Sequence, residues 1–120
     1  MAVLTREAIL AALDLPQERL HVKPWGGEVI LQGMDGVARD EYERQILAER
    51  EAGDGKVDPS RQRARLVAFS IVDESGARLF SLEDVEALGK KNGRILGELA
   101  AAAMRVNALG EGDIEALAKN

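Results

Sequence analysis

A double glycine stands beside the single tryptophan of this chain, in Pro24-Trp25-Gly26-Gly27, between two short segments whose residues alternate in polarity. Alternation at period two is the mark of a strand with one covered face, and glycine pairs supply the positive φ that tight turns require. The pattern predicts a β-hairpin at about 19–33, with Gly26 and Gly27 as a two-residue turn. In that register Trp25 opposes Glu28, Lys23 opposes Ile30 and Val22 opposes Leu31. One face then collects Leu20, Val22, Pro24, Val29 and Leu31, and the other carries His21, Lys23, Trp25, Glu28, Ile30 and Gln32. Trp25 and Ile30 are thereby expected on the polar side. There Trp25 is either a contact surface or core beneath an element that folds back over it.

Aromatic residues make up only 3% of the chain, so its core has to come from Leu, Ile, Val and Ala, a set that favours closely packed helices. At 120 residues a single domain over 1–120 is expected, α+β and mostly α, with a small N-terminal β-hairpin packed on a bundle of about five short helices. Local signals place those helices. Thr5 can cap the first, with Leu4 and Ile9 in staple positions and Pro16 ending it. Asp35-Gly36 opens a second with Ala38, Tyr42 and Ile46 inward, and Arg39/Glu43 and Asp40/Arg44 paired outside. Asp58-Pro59 is a start signal for a third. Its second half, Leu66 to Val72, is apolar nearly all round and therefore central, with a buried strand as the competing reading. Asp73-Glu74-Ser75-Gly76 can turn Val72 back onto Arg78-Leu79-Phe80. Ser81 and Asp84 resemble a capping box, and Asn92-Gly93 separates that helix from one carrying Leu96, Leu99, Ala100, Ala103 and Val106 inward. A short acidic helix with Ile114 and Leu117 inward is expected after Leu109-Gly110.

The chemistry visible in the sequence is sparse. There is no cysteine and one histidine, His21, which cannot supply the ligand set of an ordinary zinc site. A hydrolase set built on His21 would have to enlist Ser60, Ser70, Ser75 or Ser81, none of which sits in a nucleophile elbow. Gly53-Asp54-Gly55-Lys56 departs from a phosphate-binding loop at Arg50 and Val57, and the surrounding acids lack calcium-loop spacing. No catalytic residue, cofactor or metal is assigned. A net charge of −5 argues against general binding to nucleic acid or an anionic membrane. No apolar run approaches a membrane span, so a soluble intracellular protein is expected. Arg61, Arg63 and Arg65 splay to different faces of a helix and make no basic stripe.

The order of these elements resembles the tail assembly chaperones of long-tailed bacteriophages. The resemblance runs through Leu4–Leu10, Trp25–Val29, Gly36–Asp40, Arg63–Val67, Val72–Ser81, Asp84–Gly89 and Asn107–Leu109. It implies a non-catalytic protein of the infected host's cytoplasm, absent from the finished virion, that binds the tape-measure protein, keeps it soluble and helps recruit the major tail-tube protein. It also implies a frameshifted long form, and Lys119-Asn120 is encodable by a slippery heptamer. Self-association fits the same picture, while nucleic acid and membrane do not. The protein-contact residues expected on this reading are Trp25, Ile30, Lys23, Arg61 and Arg65. The competing readings are a structural or adaptor protein retained at the head-tail junction and, behind it, a nucleic-acid-binding regulator.

Overall fold

The computed structural model describes residues 2–55 and 58–110. Among the described residues, five α-helices and a three-stranded antiparallel sheet make an α+β, mostly α fold. In chain order the elements are α1 (Arg6–Ala11), β1 (Gln17–Val22), β2 (Gly27–Gln32), α2 (Gly36–Ala52), α3 (Pro59–Ser70), β3 (Ile71–Val72), α4 (Val85–Gly89) and α5 (Gly93–Val106). The expected acidic helix with Ile114 and Leu117 lies outside the described residues, as do Lys56, Val57 and Lys119-Asn120.

The hairpin forms, but its turn is longer than two residues. Lys23–Trp25 make a 3-10 turn closed by Gly26, whose N–H donates to the Lys23 carbonyl at 3.0 Å. Val22 therefore opposes Gly27, and Arg19 rather than Lys23 opposes Ile30. The reason is Pro24. Its fixed φ and missing N–H suit the start of a 3-10 turn and spoil a ladder position. Gly26 takes the expected positive φ of 75°, whereas Gly27 is an ordinary strand residue. Each residue's partner moves by four positions, an even step, so Leu20, Val22, Val29 and Leu31 still share a face.

That face packs on α5, which lies against β1 and β2. Leu96, Leu99, Ala100, Ala103 and Val106 are buried along α5 as their spacing predicts, and α3 fits between α5, α4 and α2. From Ala64 to Ser70 every residue of α3 is buried, which makes this helix the middle of the core. Both readings of Leu66 to Val72 hold in part: the helix runs to Ser70, and the chain then extends as β3 beside β2. Tyr42 and Phe69 meet edge to face, with ring centroids 5.4 Å apart.

The helix ends follow their local signals. The side chains of Thr5 and Asp35 accept from the backbone N–H of Ala8 and Ala38 at 3.1 and 2.8 Å. Asn92 Oδ1 accepts from Arg94 and Ile95 at 3.0 and 3.1 Å, so the chain breaks at Asn92-Gly93 as expected. The Ser81 N–H donates to Asp84 Oδ2 at 2.8 Å, but the turn between them is 3-10 and α4 starts only at Val85. On α2, Arg39 pairs with Glu43 at 3.3 Å, whereas Arg44 turns to Glu41 instead of Asp40.

Candidate protein-contact groove at the hairpin tip

The turn after β3 is built by Asp73. Its Oδ1 accepts from the N–H groups of Ser75 and Ala77 at 2.8 and 3.1 Å and from Ser75 Oγ at 2.6 Å, and Gly76 takes φ 87°. These hydrogen bonds hold the Asp73 carboxyl below its ordinary pKa. The turn brings Arg78 opposite Val72 and sets Leu79 and Phe80 beside the sheet. Between them and the hairpin tip runs an open groove of about 580 Å³. Trp25, Leu79 and Phe80 line it above Ile30 and Val72, with Arg19, Glu28 and Glu74 also at its wall.

Trp25 is 39% exposed and Leu79 56%, so the groove presents apolar surface to solvent. The Lys91 ammonium lies 5.6 Å from the Trp25 ring centroid, within cation–π range. Arg19 donates to both carboxylate oxygens of Glu74, at 3.4 and 3.0 Å, and lies 3.7 Å from Glu28. The Arg19 hydrogen bonds hold the Glu74 carboxyl below its usual range and raise the pKa of Arg19 in turn. The site thus sets an exposed aromatic and aliphatic surface beside a wall of ion pairs.

The five expected contact residues do not converge. Trp25 and Lys23 sit exposed in the turn. Ile30 lines the groove floor but is only 7% exposed, correcting its expected position on an open face, because β3 pairs Val72 beside it. Arg65 is corrected more strongly. It is 3% exposed and bonded to Glu49 at the junction of α2 and α3. Burial draws the pKa of its guanidinium down, and the adjacent carboxylate supplies the compensating charge. Arg61 Nε reaches the same carboxylate at 3.5 Å, while Arg63 points to solvent. The three arginines indeed form no stripe.

Leu79, Phe80 and Lys91 escaped the sequence reading as partners of Trp25. The signal for Leu79 and Phe80 was present in the Asp73–Gly76 turn; nothing local pointed to Lys91. His21 is an exposed strand residue. Among the described residues no group of three or more His, Asp or Glu side chains is placed to hold a metal ion, and no helix is long and apolar enough to cross a membrane.

No family model matches the chain, and no curated protein matches its sequence. Its fold is similar to that of a solved structure, the tail assembly chaperone of bacteriophage HK97, with a TM-score of 0.55 and 16% identity over 83% of this chain and 90% of that one.

Proposed function

We propose that this protein is a non-catalytic phage tail assembly chaperone that binds the tape-measure protein, keeps it soluble and helps bring tail-tube subunits to it. It acts in the cytoplasm of the infected bacterium and is absent from the finished virion. The observation that carries this reading is the exposed groove at Trp25 and Leu79, on a fold similar to that of the HK97 tail assembly chaperone. A chaperone needs exposed apolar surface on a charged body that resists aggregation, and a net charge of −5 supplies the second requirement. Lys23 and Trp25 are the hairpin residues assigned to the contact. A C-terminally extended form made by frameshifting belongs to the same proposal.

The test is co-expression with the tape-measure protein that this reading requires as partner. Wild type should co-purify with it and Trp25→Ala should lose it while retaining the native circular dichroism spectrum. Undiminished co-purification of a folded Trp25→Ala variant removes the groove from the reading. Stoichiometric recovery of the protein from purified virions would overturn the chaperone role in favour of a structural one.

A further inference from the structure

We propose that the outer edge of β1 takes an extended, alternately apolar segment of another protein as an added strand, with one apolar side chain of that segment seated between β1 and α5. The sheet runs β1-β2-β3, so β1 and β3 are its edges. The edge at β3 is closed: the Asp73 N–H donates to the Ala77 carbonyl at 2.8 Å and the Leu79 N–H to the Ile71 carbonyl at 3.2 Å. The edge at β1 is a full strand of six residues, long enough to template pairing. Which of its groups face outward follows from the Gly33 N–H, which donates to the Pro16 carbonyl at 2.9 Å. Pro16 and Gly33 thus form a hydrogen-bonded pair, and such pairs recur at every second residue of an antiparallel ladder, here at Glu18, Leu20 and Val22. The N–H and C=O groups of Gln17, Arg19 and His21 therefore point away from β2, about 7 Å from one residue to the next. Nothing among the described residues bonds them.

The chemistry of the edge selects what covers it. Backbone donors and acceptors at strand spacing are met by another strand, whose alternate side chains then read the surface beside it. Next to the edge, on the sheet face away from the Trp25 groove, an open pocket of about 240 Å³ lies between β1 and α5. Leu20, Ile95, Leu99 and Ala101 line it, and the charges at its rim are already paired, Glu98 with Arg94 at 3.4 Å and Arg105 with Glu18 at 2.6 Å. The pocket is smaller than the roughly 300–1,000 Å³ of a small-molecule site, and its apolar lining fits one side chain of a bound strand. A second copy's β1 does not suit the place. In the two-fold registers of longest overlap it sets Glu18 opposite Leu20 or Val22, bringing a carboxylate to the apolar pocket. α1 does not supply the strand in its own chain either, because Arg6–Ala11 is helical. The surface is separate from the Trp25 groove and needs no tape-measure partner.

Amide hydrogen exchange of the full chain, followed by NMR, tests the edge residue by residue. In the free protein the amides of Gln17, Arg19 and His21 should exchange freely, while those of Glu18, Leu20 and Val22 are protected. The probe is a synthetic nonapeptide, Lys-Thr-Val-Thr-Leu-Thr-Val-Thr-Lys, and its control is the same composition with the apolar residues adjacent, Lys-Thr-Thr-Val-Leu-Val-Thr-Thr-Lys. Saturating probe should slow exchange at Gln17, Arg19 and His21 at least tenfold, and the control should not. His21→Pro removes an outward N–H that the ladder to β2 does not use, and should weaken binding at least tenfold; His21→Thr, which restores the N–H, should restore it. Ala101→Glu, a change at an exposed position that puts a charge in the pocket, should weaken binding as much whether or not the proline variant folds. Emission of Trp25, the single tryptophan, should stay unmoved. Exchange unaffected by millimolar probe, slowing that ignores the alternation, a control that binds equally, or a blue shift of Trp25 each overturns the proposal. Slowing with protein concentration alone, without peptide, overturns it too, by making the edge a contact between copies. None of these outcomes bears on co-purification with the tape-measure protein.

Discussion

The side-chain amide of Asn107 donates to the buried Ser70 hydroxyl at 3.1 Å, joining the end of α5 to the end of α3. The same amide donates to the Ala103 carbonyl at 2.8 Å and accepts from the Met34 N–H at 2.7 Å. One residue thus locks both central helices to the segment leaving β2. Replacing it with leucine strands a buried hydroxyl and a half-buried N–H. Asn107→Leu is expected to lose about 1–3 kcal/mol in urea unfolding without a change in slope.

Gly33 sits where the backbone passes close to the end of α5. A Cβ there would lie 2.6 Å from the Val106 carbonyl oxygen and 3.2 Å from Pro16 Cδ. Both neighbours are anchored, so Gly33→Ala is expected to cost about 1–3 kcal/mol. Gly97, within α5, meets open space at the same position. Gly97→Ala should stabilise by about 0.5–1 kcal/mol, and thermal melts of the two variants should move in opposite directions.

The Arg65–Glu49 pair predicts an asymmetry. The Arg65 side chain is nearly enclosed and that of Glu49 is partly open. Glu49→Gln leaves a buried guanidinium without its countercharge and should destabilise by up to about 3 kcal/mol. Arg65→Met combined with Glu49→Leu removes both charges and should recover most of that loss. A double variant as unstable as the single one would contradict this account of the pair.

Glu18 on β1 accepts two hydrogen bonds from Arg105 on α5, at 3.0 and 2.6 Å, and these hold its carboxyl below the usual pKa. A carboxylate with a depressed folded pKa contributes stability that is present above its unfolded value, about 4.3, and lost as pH falls through the folded value. Wild type should therefore lose melting temperature on acidification below about pH 4. Arg105→Gln should lower the melting temperature at neutral pH and flatten that acid limb.

The helices were legible because their determinants are local. Thr5, Asp35, Asp58-Pro59, Ser81 and Asn92 each stand within a turn of the helix they start, and a cap needs no distant partner. The inward residues of α5 followed from spacing alone. The hairpin register failed at a single point, where Pro24 outweighed the Gly-Gly signal and lengthened the turn. Of the groove, only Trp25 was visible as a candidate. Its far wall comes from a hairpin about fifty residues later in the chain.

The sequence by itself determined the class of fold, the caps, the division of the hairpin into two faces and the central place of α3, all of which depend on neighbours within a few residues. Only the tertiary structure decided which polar-face residues stay open. β3 pairs beside Ile30, the α2–α3 junction encloses Arg65 next to Glu49, and Leu79 stands beside the groove with Trp25, leaving the tryptophan half exposed at the tip. The physical reason is that burial is set by whichever distant element packs on a surface. The alternation along a strand shows that two faces exist, without showing what will cover the second.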